Sequence, residues 1–156
     1  MESLVSLSWC IRQGTRGEGD GDADYLPPCR LCTFNCRSLK NSLFDVQQLC
    51  KNFDIIFLQE HWLLPFELDM LSNIDNGFLA FGVSAVDISA GVVRGRPYGG
   101  TAVLYRKQLA KVIDIVDCDE PRLCAVNIKT CNGPVLFVNV YMPTDARDDN
   151  SFDTIR

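Results

Sequence analysis

The sequence predicts an α/β domain built from stacked β-sheets. An amphipathic helical pattern over about 39–51 is followed by a short, wholly apolar run over 54–58, which is typical of a buried strand. From residue 77 onward, short strand patterns recur between Gly, Pro and Asp turns. The chain has 156 residues and a hydrophobic fraction of 47%, which is enough for one domain with its own core.

The first predicted elements alternate between strand and helix. Residues 31–35 predict the first strand, and Ser38 is placed to cap the helix over 39–51. The run at 54–58 predicts a strand that is buried on both faces. A proline then begins a short helical segment near 65–72.

The second half predicts mainly strands. The predicted ranges are 77–81, 99–106, 109–116, 122–128 and 135–141, and a further helix is expected to begin within 148–156. Six or so strands with few helices to cover them leave at least one sheet face bare. The sequence therefore predicts a domain that is unfinished at its C-terminal end.

The N-terminal residues have a different composition from the rest. Residues 1–29 are rich in Gly and Asp and are predicted to be a disordered leader, with the folded domain over 30–156. The net charge is −5, and residues 1–28 contribute five acidic residues against two arginines. The folded part is nearly neutral, so overall charge gives no support for nucleic-acid binding.

The eight cysteines are interpreted as reduced thiols. No basic and apolar secretory signal precedes them, and several lie within apolar patterns where a free thiol acts as a small hydrophobic side chain. The sequence thus indicates an intracellular protein, nuclear or cytoplasmic. No apolar run reaches the length of a membrane span.

Polar side chains stand at the ends of three predicted strands. Asn35 ends the first strand, Glu60 follows the buried strand, and Tyr141 ends a later strand. Each has an ordinary structural explanation when considered alone: a strand-end hydrogen bond, a cap or ion pair, and a core aromatic residue. Because strand ends can meet at one mouth of a sandwich, we expect the three side chains to converge.

Four segments resemble successive motifs of the endonuclease/exonuclease/phosphatase superfamily, in order and at fitting distances. They are Phe34–Leu39, Phe57–Trp62, Tyr98–Arg106 and Val138–Thr144. The lead-in at 96–100, Arg-Pro-Tyr-Gly-Gly, is most similar to the endonuclease domains of LINE-type non-LTR retrotransposons. The resemblance covers about residues 30–156.

The resemblance implies a four-layered α/β sandwich of the DNase I-like type, truncated at the C-terminus, that hydrolyses DNA phosphodiester bonds with Mg²⁺ or Mn²⁺. It implies that Glu60 is a metal ligand, that Asn35 orients the site through a hydrogen bond, and that Tyr141 donates to the phosphate. Asn139 is expected to be a structural hydrogen-bonder near the site. His61 is expected at the rim or bonded to its neighbours.

Departures from the superfamily pattern weaken the expected activity. Arg37 stands where some relatives place an acidic metal ligand, and neither a Gly-Asp-x-Asn motif nor a Ser-Asp-His motif follows Tyr141. In the superfamily these motifs supply the water-orienting aspartate and the phosphate-binding histidine. The chain is therefore expected to be inactive, or nearly so, by itself.

Basic residues cluster in one segment of the second half. Arg94, Arg96 and Arg106 weakly predict contacts with nucleic acid, although a solvated face is the more ordinary interpretation. Two alternatives to a DNA endonuclease stay open: another phosphatase-type enzyme of the same superfamily, and a non-catalytic remnant that binds a partner. The sequence indicates no specific protein partner and no membrane.

Overall fold

A five-stranded sheet forms the larger part of the molecule. The computed structural model describes residues 5–9, 29–89, 91, 97–118, 120–130 and 132–142. The strands of this sheet are β1 (Val5–Trp9), β2 (Cys29–Asn35), β3 (Ile55–Gln59), β4 (Phe78–Val83) and β5 (Thr101–Arg106), in the spatial order β1-β2-β3-β5-β4. Strands β2 and β3 are parallel, and the other neighbours are antiparallel.

A three-stranded antiparallel sheet follows in the chain. Its strands are β6 (Ile113–Val116), β7 (Leu123–Thr130) and β8 (Gly133–Val140), in that spatial order. The helices are α1 (Leu39–Asn52) and two 3₁₀ helices, Pro65–Asn73 and Lys107–Leu109. Helix α1 is the crossover between the parallel strands β2 and β3, as a parallel pair requires.

The strand β1 lies within the stretch that the sequence predicted to be a leader. Val5–Trp9 pairs antiparallel with β2, with Val5 opposite Thr33 and Trp9 opposite Cys29. The alternation Val-Ser-Leu-Ser-Trp is a strand pattern, but its partner is separated from it by residues 10–28. The predicted disorder of residues 1–4 and 10–28 falls outside the described residues.

Two apolar cores hold three layers together. One core lies between the two sheets and includes Ile55, Phe57, Val103 and Val126. The other lies between the five-stranded sheet and the helical layer, where Leu58 meets residues of α1 and of the first 3₁₀ helix. Helices, large sheet and small sheet are thus stacked, which confirms the predicted α/β sandwich.

The outer face of the small sheet is bare in the described part of the chain. Alternate residues of β8, and Met142 just beyond its end, project from this face with large exposed fractions: Leu136 57%, Val138 51%, Val140 41% and Met142 40%. The prediction of one uncovered sheet face agrees with this arrangement.

Most predicted element positions agree with the structure to within a few residues. The helix begins at Leu39, directly after Ser38, but the Ser38 side chain makes no capping hydrogen bond. Ser38 has φ 92 in place of the extended backbone of a capping serine, and the Asn41 N–H that a cap would bind donates to the Ser38 carbonyl oxygen. The strand predicted over 109–116 is shorter, since Lys107–Leu109 forms a 3₁₀ turn.

The C-terminal helix predicted within 148–156 lies outside the described residues. Among the described helices, none has the length and apolarity needed to cross a bilayer.

Candidate active site

Asn35 and Glu60 meet at one end of the large sheet. Strands β2 and β3 are parallel, with Asn35 opposite Gln59. The C-terminal ends of the two strands therefore lie side by side at the same end of the sheet. The Asn35 amide nitrogen Nδ2 donates to Glu60 Oε1 over 2.7 Å. The Asn35 oxygen Oδ1 accepts from the backbone N–H of Arg37 at 3.2 Å. The amide is therefore fixed in orientation and holds the carboxylate in place.

The backbone around Glu60 adopts left-handed conformations. Glu60 and Trp62 both have φ 56, and Arg37 has φ 40. Such values are uncommon outside glycine and persist where surrounding structure imposes them. Here the N–H of Ser38 donates to the carbonyl oxygen of Glu60 at 2.8 Å. This bond locks the two strand-to-loop turns together.

Tyr141 reaches the same mouth from the small sheet. It follows β8, and its backbone N–H donates to the Arg122 carbonyl oxygen at 3.0 Å. Its ring packs on Gly99, where an added Cβ would lie 3.4 Å from Tyr141 Cε1. Burial and then the charge of Glu60 raise the pKa of Tyr141, and the nearby Arg122 opposes this. The phenol keeps its proton at neutral pH and can act as a hydrogen-bond donor.

Asn139 is buried directly beneath this mouth and joins the two sheets. Its Nδ2 donates to the carbonyl oxygens of Leu58 at 2.8 Å and Ala102 at 3.1 Å. Its Oδ1 accepts from Gln59 Nε2, which also donates to Thr33 Oγ1 at 2.8 Å. These contacts are structural, and the place of Asn139 beside a functional site stays a prediction. Gln59 is not among the predicted site residues. It lies two residues after Phe57 and therefore on the same face of β3.

His61 is a structural residue. It is 1% exposed, and its Nδ1 accepts from the Leu63 N–H at 3.0 Å. The proton therefore sits on Nε2, which lies 3.0 Å from the Val83 carbonyl oxygen. Burial lowers the pKa of the imidazole, which is neutral. An added Cβ at Gly100 would overlap the ring, so this position has room only for glycine. His61 is expected from the sequence either at the rim or bonded to its neighbours. In the structure it is buried and hydrogen-bonded to neighbouring residues.

Arg106 lies away from the mouth. Strand β5 runs antiparallel to β3, which places Arg106 beside Asp54 at the opposite end of β3. Its Nε donates to Asp54 Oδ1 at 2.7 Å, and its guanidinium lies 5.0 Å from the centre of the Phe78 ring. These partners are structural and lie away from the mouth, and the nucleic-acid contact of Arg106 stays a prediction. Arg94 and Arg96 lie outside the described residues.

Arg37 and Arg122 are the basic residues that the structure does place beside the site. Arg37 is exposed and follows Asn35 by two residues, and Arg122 lies close enough to Tyr141 to lower its pKa. In the sequence, Arg37 stands out only as a departure from a family pattern. Nothing in the sequence indicates that Arg122 lies near Tyr141, because this closeness depends on the pairing of β7 with β8.

The donor set at the mouth fits Mg²⁺ or Mn²⁺ with a single protein carboxylate. The described residues contain no cluster of three or more His, Cys, Asp or Glu side chains that could hold a metal. Glu60 Oε1 is engaged by Asn35, which leaves the second carboxylate oxygen as the hard oxygen donor. Mg²⁺ commonly keeps several waters and takes one or two carboxylates, so Glu60 alone is an acceptable ligand.

Comparisons with known proteins place this arrangement in a family. The profile of the endonuclease/exonuclease/phosphatase family matches residues 32–154. A comparison with curated protein sequences found no match.

Solved structures of similar fold come from bacteria and a protozoan. The chain is similar to a Neisseria 3' phosphatase, NExo, solved with a product DNA hairpin, at 22% identity and TM-score 0.52, covering 81% of this chain and 46% of that one. It is similar to the AP endonuclease LMAP from Leishmania major at 16% identity and TM-score 0.53, covering 72% and 40%. This chain therefore spans less than half the length of either structure.

Proposed function

The chain belongs to the endonuclease/exonuclease/phosphatase family, and we propose that it is the N-terminal portion of a divalent-metal-dependent DNA endonuclease domain of the LINE retrotransposon type. The observation that carries the proposal is the hydrogen bond between Asn35 and Glu60, at a mouth that Tyr141 also reaches. The Arg-Pro-Tyr-Gly-Gly resemblance at 96–100 supports the retrotransposon assignment.

Each of the three residues has a definable task at a phosphodiester. Glu60 would hold Mg²⁺ or Mn²⁺, which supplies Lewis-acid stabilisation of phosphate charge when bound. Asn35 fixes the carboxylate in one orientation through its 2.7 Å bond. Tyr141 is protonated at neutral pH, since its pKa is raised further above an ordinary value of 10.0, and it would donate to a phosphate oxygen as negative charge develops.

We further propose that residues 1–156 alone are inactive or nearly so. Phosphodiester hydrolysis needs a group that orients or deprotonates the attacking water, and loss of such a group costs roughly 10²- to 10⁴-fold in rate. The single histidine cannot serve, since both of its ring nitrogens are engaged inside the core. No Gly-Asp-x-Asn motif follows Tyr141 to supply an aspartate.

Metal binding tests the site without requiring activity. Titration of the chain with Mn²⁺, followed by the loss of the free-ion electron paramagnetic signal, should show a site that weakens at least about tenfold in Glu60→Gln protein. Glu67→Gln is the matched control, because it removes a carboxylate from the helical layer. Equal Mn²⁺ affinity of the wild type and Glu60→Gln would refute the assignment of Glu60.

Plasmid nicking tests the predicted inactivity. Supercoiled plasmid in Mg²⁺ should not be nicked by the wild-type chain above the level of the Glu60→Ala protein. Nicking that disappears in Glu60→Ala would contradict the inactivity and would at the same time support the site. Release of phosphate from a 3'-phosphorylated oligonucleotide in place of nicking would favour a phosphatase of the same family.

A further inference from the structure

Tyr98 is an exposed aromatic side chain beside the candidate site. Its side chain is 59% exposed, whereas Tyr105 is 9% exposed and Tyr141 is half-buried. Among the described residues, no hydrogen bond or ring contact engages the Tyr98 side chain. Within the described part of the chain, most of the Tyr98 surface is therefore open to a ligand.

The position of Tyr98 is fixed by the turn that follows it. The Gly99 carbonyl oxygen accepts from the Trp62 N–H at 3.0 Å, which joins the turn to the loop that carries Glu60. On its other side Gly99 packs against the Tyr141 ring. Neighbouring Cα atoms are about 3.8 Å apart, so Tyr98 lies one residue from the glycine that contacts Tyr141.

Gly99 can make this close approach because it has no side chain. It has φ 60, and an added Cβ would lie 2.9 Å from the Ala85 Cβ. The preceding residue, Pro97, restricts the backbone on the other side of Tyr98. The aromatic ring is thus carried on a segment that is anchored at Gly99, beside a site whose mouth is polar.

We propose that Tyr98 is a stacking subsite for the nucleobase of the nucleotide that adjoins the phosphate at Asn35, Glu60 and Tyr141. The proposal rests on the proposed function, because it places a nucleotide at that mouth. Every base has a π-face, so stacking on tyrosine is tolerant of sequence. A base within a duplex is already stacked on its neighbours, so the subsite should favour an unpaired nucleotide.

Binding of a short single-stranded oligothymidylate to the 1–156 chain tests the subsite. The affinity should be measured by fluorescence anisotropy in EDTA, which prevents cleavage. Tyr98→Ala should weaken binding by about 5- to 100-fold, and Tyr98→Phe should retain most of the affinity. Phe66→Ala is the matched control, because Phe66 is a 68% exposed aromatic residue of the first 3₁₀ helix.

An abasic oligonucleotide of the same length separates base stacking from other effects, because it keeps the phosphates and lacks the bases. The wild type and Tyr98→Ala should bind it equally. Unchanged oligothymidylate affinity in Tyr98→Ala, or equal weakening on both probes, would overturn the subsite. The Mn²⁺ titration of Glu60→Gln reports on the catalytic assignment independently, so the two proposals fail separately.

Discussion

The two sheets of this molecule differ in how completely they are covered. The large sheet is packed on both faces, by the small sheet on one side and by the helical layer on the other. Among the described residues, the small sheet is packed on one face only, and Leu136, Val138 and Val140 of β8 are exposed on the other. Burial of apolar surface is the main source of folding stability, so the large sheet should be the more stable region.

The candidate site spans both regions. Asn35 and Glu60 belong to the well-packed sheet, and Tyr141 belongs to the half-covered one. The hydrogen bonds of Asn139 connect the two beneath the site. The carboxylate therefore follows a sheet that is packed on both faces, whereas the tyrosine follows a sheet that has one exposed face in the described structure.

The largest expected effect is the loss of a buried leucine from the large sheet. Leu58 is fully buried, so Leu58→Ala should lower the free energy of unfolding by about 2–5 kcal/mol. Leu136→Ala is the matched change on the bare face and should cost less than about 0.5 kcal/mol. Urea denaturation followed by circular dichroism measures both. Similar costs for the two variants would contradict the difference in cover.

The next effect concerns the connection between the sheets. Asn139→Ala removes the amide that serves the carbonyl oxygens of Leu58 and Ala102, and a buried polar group without a partner costs about 1–3 kcal/mol. Amide hydrogen exchange should be accelerated more in β7 than in β3, because the small sheet loses its hydrogen bonds to the large sheet. Asn127→Ala, which changes a half-buried asparagine of β7, should leave the exchange nearly unchanged.

The reactivity of buried thiols compares how readily the two sheets open locally. Burial raises the pKa of both Cys32, on β2, and Cys124, on β7, to about 12, and both are fully buried. Each must be exposed by opening before a thiol reagent can attack. Cys124 should be labelled about tenfold faster than Cys32, which corresponds to about 1.4 kcal/mol in opening free energy.

Peptide mapping by mass spectrometry distinguishes these sites, and the half-exposed Cys118 serves as the fast reference. Equal rates at Cys32 and Cys124 would mean that the two sheets open as one unit.

The smallest expected effect is the loss of an ion pair in the helical layer that covers the large sheet. Lys40 Nζ is 2.6 Å from Glu67 Oε1, and this hydrogen bond, with that of the Leu64 N–H, lowers the pKa of Glu67 from 4.5. A lowered pKa in the folded state stabilises the protein above pH 4.5, and the benefit is lost as the pH falls through the folded-state value.

Glu67→Gln should therefore cost less than about 0.5 kcal/mol at neutral pH, since the lysine is half exposed and screened by solvent. The urea midpoints of the variant and the wild type should converge in acid. A difference that grows as the pH falls would contradict a stabilising role for the ionised Glu67 carboxylate.

The sequence predicted the core of the site because local signals were sufficient. Apolar runs located β2 and β3, and a parallel pair necessarily brings Asn35 and Glu60 to the same edge. The position of Arg106 relative to this site could not be predicted from its closeness in sequence to other basic residues. The antiparallel direction of β5 carries it to the opposite end, roughly 20 Å away at about 3.3 Å per strand residue.

Features that depend on distant pairing could not be predicted. Strand β1 has a clear alternating pattern, but its pairing with β2 is a long-range choice. The left-handed backbone of Glu60 has no local signature either, because Gln-Glu-His contains no glycine. The Glu60 carbonyl oxygen accepts from the Ser38 N–H, a contact between residues that are 22 positions apart in the chain, so the local sequence does not reveal it.

The left-handed backbone at Glu60 also affects which substitutions this position can accept during evolution. A residue with φ 56 is most easily replaced by glycine, asparagine or aspartate, all of which accept this conformation. A glycine at this position would relieve strain and leave the fold intact while it removed the carboxylate. In descendants of this chain, loss of the proposed metal ligand and loss of the structure would thus be separate events, and a well-folded homologue could lack the carboxylate.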